Sequence, residues 1–167
     1  MVKLIKSAWW IIYHYDKNGD IRFLLIKRHA LSGKIERVAP KWKIDWWETE
    51  EKAALREVSE ETGIPLNLLT LRQKVGTATI TGLEDRNWKF EKEVTYFLMK
   101  YDWDPELVDI QLVEWYLGTY KWSTIADVLN LVYYSDIREL FRKWFNMLRE
   151  QKKKNDVKKD FMKKLEL

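Results

Sequence analysis

Residues 42–64 read WKIDWWETEEKAALREVSEETGI, and this segment is the most informative part of the chain. Within it, Glu57, Glu60 and Glu61 are spaced i, i+3 and i+4, which places them along one side of an α-helix. Like charges at this spacing repel each other by a few tenths of a kcal/mol per pair on an exposed helix. Because a bound cation would offset that repulsion, the cluster predicts a site for a divalent metal ion.

The sequence predicts a helix around this cluster, from Thr49 to Thr62. Thr49 is a suitable N-cap residue, and acidic residues follow it in the first turn, where the helix dipole favours negative charge. Gly63 and Pro65 then end the helix. The acidic cluster is therefore expected in the last two turns of a short helix.

The rest of the chain alternates apolar runs with turn residues. Asp16-Lys17-Asn18-Gly19-Asp20 separates two apolar runs, a pattern typical of a β-hairpin. The predicted strands are 8–15, 21–27, 69–80, 93–101 and 113–117, with a short extended piece at 36–39 and a polar loop at 81–92. The further predicted helices are 125–131 and 135 to about 150. Mixed strands and separate helices predict an α/β sandwich.

Composition limits the class of protein. The chain has 167 residues, enough for one domain with its own core. It has no cysteine, which excludes disulfides and thiolate metal sites. No apolar run has the length of a membrane span, so we expect a cytoplasmic protein with no membrane partner.

Positive charge is concentrated near the C-terminus. Residues 151–164 contain seven lysines and two aspartates, whereas the whole chain has 30 Lys+Arg and 26 Asp+Glu. We expect a domain at 1–150 and a Lys-rich helical tail at 151–167. The favoured interpretation of the tail is a solvated helix end rather than a nucleic-acid contact.

The spacing within residues 42–64 resembles the Nudix box, G-x5-E-x7-R-E-U-x-E-E-x-G-U, in which U is a bulky aliphatic residue. The residues that match are Glu48, Arg56, Glu57, Val58, Glu60, Glu61, Gly63 and Ile64. Only the opening glycine differs, because position 42 is Trp. The resemblance implies a Nudix-type α/β/α sandwich with a mixed sheet.

The resemblance also implies a metal site and a catalytic set. Glu57, Glu60 and Glu61 would bind Mg²⁺, or Mn²⁺ in its place, since such ions take oxygen ligands. Arg56 is expected to pair with Glu48 or Glu57 and to orient a carboxylate. The candidate catalytic residues are Glu57, Glu61, Arg56 and Glu48. The simpler alternative is a surface helix with an Arg56–Glu60 ion pair, which Glu48 and the Gly63-Ile64 terminus in register argue against.

Substrate-binding residues follow from a second resemblance. Residues 40–45, PKWKID, resemble the PKG[KH][IVL]E loop of the diadenosine-tetraphosphatase branch, which would place Lys41 and Lys43 beside a polyphosphate. Arg28 would add charge on the same side. Tyr96 corresponds to a position that often faces the base, although a core position is the favoured interpretation.

The general base is left open by the sequence. Asp109 stands where relatives often carry a glutamate, and its shorter side chain puts that role in doubt. Glu48 and Glu61 are the alternatives.

Tryptophan is the main departure from the family pattern. The chain has 10 tryptophans, and five of them stand where the resemblance leads us to expect other, mostly smaller residues at the rim and floor of the cleft. These are Trp9, Trp10, Trp42, Trp46 and Trp47. An indole in a phosphate-binding loop adds bulk where backbone must approach the ligand closely. The cluster suggests a cleft remade by divergence or engineering, with an interface or ligand pocket lined by indoles.

Two functions follow from these expectations. The first is a Mg²⁺-dependent hydrolase of nucleoside polyphosphates, similar to dinucleoside tetraphosphate pyrophosphohydrolases, with a nucleotide-type substrate and activity weakened by the tryptophans. The alternative is an engineered or repurposed scaffold whose Trp-rich surface binds a protein partner, a second copy of itself or an aromatic ligand.

Overall fold

The computed structural model describes residues 3–29, 35–38, 41–43, 49–85, 88–108, 116–132 and 135–165. The strands are β1 (Lys3–Tyr15), β2 (Ile21–His29), β3 (Ile35–Val38), β4 (Lys41–Lys43), β5 (Leu69–Asp85), β6 (Trp88–Tyr101) and β7 (Tyr116–Ser123). The helices are α1 (Glu50–Thr62), α2 (Ile125–Leu131) and α3 (Ser135–Leu165). Short 3₁₀ turns cover Leu66–Leu68 and Pro105–Leu107.

All seven strands belong to one mixed sheet. Its main path runs β3-β2-β1-β6-β5, and β4 pairs with β1 while β7 pairs with β2. The β1–β6 pairing is parallel, whereas β1 and β2 pair antiparallel through the predicted hairpin. Gly19 in the turn has φ 76°, a backbone conformation that glycine adopts without strain.

Alternate residues of β1 enter two separate cores, because successive strand side chains point to opposite faces of a sheet. On one face, Trp9, Ile11 and Tyr13 pack with residues of α2 and α3. On the other face, Ala8, Trp10 and Ile12 pack with residues of α1. Helices therefore cover both faces of the sheet, and the predicted α/β/α sandwich is confirmed.

The third helix covers its face of the sheet with an apolar stripe. Four members of that stripe are buried: Ile137, Phe141, Trp144 and Leu148. The helix continues without a break through residue 150 to Leu165, so most of the tail that was expected to be helical belongs to this same helix. Lysine is a good helix former, so the Lys-rich sequence extends the helix instead of ending it.

One prediction about the strands was wrong. The loop predicted at 81–92 is largely strand, since β5 runs to Asp85 and β6 starts at Trp88, with Asp85 opposite Trp88. Cross-strand pairing along a long hairpin stabilises polar residues whose own pattern predicts a loop. The strand predicted at 113–117 is described only from Tyr116, where β7 begins, and β7 continues to Ser123. Residues 109–115 lie outside the described part of the chain. Within the described ranges, none of the helices combines the length and the hydrophobicity of a membrane span.

Candidate functional site

The helix that carries the acidic cluster begins and ends where the sequence predicts. The Thr49 hydroxyl accepts a hydrogen bond from the Lys52 N–H at 3.3 Å and caps the N-terminus of α1. Gly63 has φ 64°, and its N–H donates to the Ser59 carbonyl at 2.9 Å. These local caps fix which turn of α1 carries each glutamate.

Two of the three glutamates lie on the buried side of this helix. Glu57 and Glu61 are 4% and 7% exposed, and their i, i+4 spacing puts them on one side. The Glu60 side chain is 58% exposed. A carboxylate is costly to bury unless a partner compensates for lost hydration, so two buried carboxylates on adjacent turns are the strongest sign of a functional site here.

Arg56 connects two members of the cluster. Its Nη1 atom lies 2.5 Å from Oε1 of Glu57 and 2.9 Å from Oε2 of Glu60. The predicted pairing with Glu57 is therefore present, and so is the i, i+4 pair that the simpler surface-helix interpretation requires. Glu48, the other predicted partner, lies outside the described residues.

The predicted three-carboxylate site is not gathered in this conformation. Within the described ranges, no three His, Cys, Asp or Glu side chains lie close enough together to hold a metal ion. Glu60 instead contacts Arg56 on the exposed side of α1. The donor chemistry nevertheless fits Mg²⁺ or Mn²⁺, because Glu57 and Glu61 are buried oxygen donors on one helix.

The lysine-containing segment lies beside the middle of β1. Its residues form β4, in which Lys43 pairs with Ser7, Trp42 with Ala8 and Lys41 with Trp9. β4 also packs near α1. The structure therefore brings the backbone of the predicted phosphate-binding segment next to the sheet and the acidic helix, while the side chains of β4 lie outside the description.

The proposed indole-lined surface loses two of its five members. Trp9 is 1% exposed and Trp10 is 0% exposed, because β1 is the central strand and helices cover both of its faces. The prediction that these two residues line an interface or ligand pocket was wrong. Trp46 and Trp47 lie outside the described residues, and only the backbone of Trp42 is described.

Tyr96 lies in the core, as the favoured interpretation predicted. It is 0% exposed, and its ring centroid lies 5.5 Å from that of Trp9 and 5.7 Å from that of Trp144. Arg28 lies on β2 opposite Glu36 of β3, with its side chain undescribed. Asp109 lies outside the described residues.

Sequence reasoning missed a polar contact that anchors the N-terminus of α1. Lys74 Nζ lies 2.7 Å from Oε2 of Glu50, and the Thr95 hydroxyl donates to Oε1 of Glu50 at 3.5 Å. The contact joins the first residue of α1 to β5 and β6. Only the acidic first turn of the helix was visible in the sequence, since Lys74 and Thr95 are distant in the chain.

A surface cavity lies away from the acidic helix. It measures about 220 Å³ and lies at the C-terminal end of β1, beyond the residues that pair with β4. Its lining residues are His14, Tyr15, Lys100, Tyr101, Asp102 and Trp103. None of the predicted site residues lines it.

Comparison with known proteins supplies the family. The NUDIX domain model matches residues 5–145. The asymmetrical bis(5'-nucleosyl)-tetraphosphatase of Caenorhabditis elegans is 28% identical over 141 residues, which cover 84% of this chain and 94% of that protein.

Solved structures agree with this assignment. The binary complex of the C. elegans Ap4A hydrolase superposes with a TM-score of 0.70 at 29% identity, covering 87% of this chain and 98% of that one. A second structure of the C. elegans Ap4A hydrolase gives 0.65 at 30% identity, covering 89% and 99%. A Nudix hydrolase from M. smegmatis shares the fold, with a TM-score of 0.62 at 19% identity over 87% of each chain. The sandwich, the matched positions of the acidic helix and these similarities together show that the chain belongs to the NUDIX domain family.

Proposed function

We propose that this protein hydrolyses nucleoside polyphosphates, with a dinucleoside tetraphosphate as its substrate. The observation that carries the proposal is the pair of buried carboxylates, Glu57 and Glu61, on a helix whose sequence matches the family box. The similarity to an asymmetrical tetraphosphatase along most of both chains supports the substrate class.

The residues of the proposed site have different roles. Glu57 and Glu61, joined by Glu60, would hold Mg²⁺ or Mn²⁺, which supplies a Lewis acid for a phosphoryl oxygen. Arg56 holds the Glu57 carboxylate in one orientation through its 2.5 Å contact. Lys41 and Lys43 would attract and orient the polyphosphate chain through charge.

Glu60 must change partners in this scheme. It now contacts Arg56 at 2.9 Å on the exposed side of α1, and joining Glu57 and Glu61 requires that contact to break. An exposed ion pair of this kind is worth less than about 1 kcal/mol. The free-energy cost of the rearrangement is therefore small compared with the stabilisation that binding a divalent ion would provide.

Hydrolysis of diadenosine tetraphosphate tests the proposal. With Mg²⁺ present, we expect one water to be consumed and ATP and AMP to be released in equal amounts, separated by ion-exchange chromatography. Chelation should abolish the release, and Mg²⁺ or Mn²⁺ should restore it. Absence of turnover on dinucleoside and nucleoside polyphosphates with either ion would refute the proposed function.

Variants of α1 locate the activity. Glu57→Gln and Glu61→Gln should each lower kcat/KM by roughly 100-fold or more, about 2.7 kcal/mol of transition-state stabilisation. Glu51→Gln is the matched control, because Glu51 lies on the same helix, carries the same charge and is exposed. Equal losses in all three variants would mean that the helix acts through its total charge.

The repurposed scaffold is not proposed as a second function. That function requires five indoles on one surface, whereas Trp9 and Trp10 are buried in two different cores. We retain the weaker form of the idea, that Trp42 and Trp47 reduce turnover. A cytoplasmic location remains part of the proposal, since polyphosphate nucleotides are the substrate it requires.

A further inference from the structure

The third helix leaves the body of the protein after Lys152. Leu148 is buried, and Lys152 Nζ donates to the Gly19 carbonyl at 2.5 Å and lies 5.7 Å from the centre of the Tyr15 ring. Every side chain described from residue 153 onward is exposed. Residues 153–165 therefore extend for about 20 Å as a helix with solvent around it.

This projecting segment carries apolar side chains that cover nothing. Val157, Phe161 and Met162 are 69%, 61% and 48% exposed. Val157 and Phe161 are spaced by four, and Met162 follows Phe161, so the three share one side of the helix. We call this side the tail face. A helix in a globular protein normally buries such a side, which indicates an external partner.

Lysines flank the tail face on both sides. Lys154 and Lys158 lie within about 60° of Phe161 on one side of the helix axis. Lys164 lies about 60° from Phe161 on the other side. Asp156 and Asp160 form a row about 100° or more from Phe161, beyond Val157. The partner of the tail face must therefore offer apolar surface and negative charge together.

We propose that the tail face lies on an anionic lipid surface. At the headgroup boundary of a bilayer, phosphates and acyl chains are presented together, and a Lys-rich amphipathic helix rests in this plane. The apolar chains of Val157, Phe161 and Met162 enter the boundary. Lys154 and Lys158 extend their stems along it and place their ammonium groups among the phosphates.

The charges and apolar groups favour this partner over two others. A second copy of the tail would bring two Lys-rich segments together, each with seven lysines against two aspartates in residues 151–164. A nucleic-acid backbone offers phosphates but little surface for Val157 and Met162. The helix rests on the surface and does not cross it, in keeping with the absence of a membrane-spanning helix among the described residues.

Vesicle sedimentation of the full chain tests this inference. We expect binding to vesicles of phosphatidylcholine mixed with phosphatidylglycerol, and none to phosphatidylcholine alone. High salt should weaken the binding. Phe161→Ser combined with Val157→Ser should reduce it by roughly tenfold or more, without change in thermal unfolding, since both side chains are exposed.

A pair of lysine variants tests the orientation. Lys154→Gln with Lys158→Gln removes charge on the tail face and should weaken binding by roughly tenfold or more. Lys159→Gln with Lys163→Gln removes the same charge from a row about 160° from Phe161 and should have a much smaller effect. Equal losses in the two pairs would show unoriented charge attraction and overturn the proposal.

Other partners would be recognised in the same experiments. Failure to sediment with anionic vesicles overturns the lipid proposal outright. A stable dimer by light scattering that Phe161→Ser dissociates would assign the tail face to a second copy. Tighter binding to single-stranded RNA than to vesicles, insensitive to Phe161→Ser, would assign the tail to nucleic acid. In all cases hydrolysis by the variants should match the unaltered chain, so failure here leaves the proposed function untouched.

Discussion

The Arg56 guanidinium holds two carboxylates that differ in surroundings. Glu57 is 4% exposed, while the Glu60 side chain is 58% exposed. An ion pair gains strength as water is removed from it, so the contact with Glu57 contributes more to stability than the contact with Glu60. Arg56 therefore fixes Glu57 and leaves Glu60 available for another partner.

Replacing Arg56 by methionine tests this difference. Arg56→Met keeps the apolar stem but removes a charged partner of buried Glu57, so the free energy of unfolding should fall by about 1–2 kcal/mol. Glu60→Gln breaks only the exposed contact and should cost less than about 0.5 kcal/mol. Urea denaturation of both variants measures the two losses. Equal stability losses would contradict the assignment of Glu57 as the main partner.

Trp42 is the second residue at which a specific outcome is expected. It lies on β4 opposite Ala8 of β1, at the position where the family box has glycine. If its bulk obstructs the phosphates, Trp42→Gly should raise kcat/KM for diadenosine tetraphosphate by roughly tenfold, about 1.4 kcal/mol. Trp42→Ala separates the effect of the indole from the effect of having any side chain at this position, because it removes the indole but retains Cβ. Unchanged or lower kcat/KM in both variants would show that the indole does not block the cleft.

Among the helices and strands, features set by neighbouring residues were predicted well from the sequence, whereas pairings between distant segments were not. The limits of α1 and α2 were predicted closely, because Thr49 and Thr124 cap their helices through contacts three residues away. The sequence did not show that β4 pairs with β1 or that β5 and β6 continue past the predicted loop. Both depend on cross-strand hydrogen bonds, which no single segment encodes.

The β1–β2 turn gives a prediction for pH dependence. Asp16 accepts hydrogen bonds from the N–H groups of Asp20 and Asn18 at 2.9 and 3.0 Å, and from Nε of Arg22 at 2.8 Å. These contacts, led by the Asp20 N–H, lower the pKa of Asp16 below its ordinary 3.8. A lowered pKa in the folded state means that the contribution to stability is complete above 3.8 and is lost as the pH falls through the folded-state pKa.

Asp16→Asn should therefore be less stable than the unaltered chain at neutral pH, and the difference should shrink as the pH falls below 3.8. Thermal unfolding of both proteins across this range measures the difference. Asp20→Asn is the control, because Asp20 is exposed and its only described ion pair, with Arg22, has a long N···O distance of 4.0 Å. A stability difference that stays constant with pH would show that the ionised carboxylate of Asp16 does not support the turn.

At the scale of the whole molecule, a series of aromatic rings joins the sheet to α3. Tyr96 contacts Trp9 and Trp144, and Phe141 contacts Trp144 and Phe23, with centroid separations of 5.2–5.9 Å. Such ring pairs add to the stability gained from burial alone. The sequence alone did not show that α3 packs over this face of the sheet. For that reason Trp9 was expected at a surface, whereas it is buried. The acidic helix, by contrast, was predicted from spacing along one segment.

The contacts of α3 show where the folded domain ends. The boundary predicted between residues 150 and 151 falls inside a continuous helix, and the last described contact with the body is made by Lys152 to Gly19 and Tyr15. A chain ending after Lys152 should keep its free energy of unfolding within about 0.5 kcal/mol, since the described side chains it loses are exposed. A chain ending after Gln151 also loses the Lys152 contacts. Its free energy of unfolding should be lower than that of the chain ending after Lys152 by about 0.5–1.5 kcal/mol. Lys152→Met in the full chain separates this contact from the effect of shortening the helix. A large loss of stability on removing residues 153–167 alone would mean that the tail packs against the body in solution, and its apolar side would then have a partner within the chain itself.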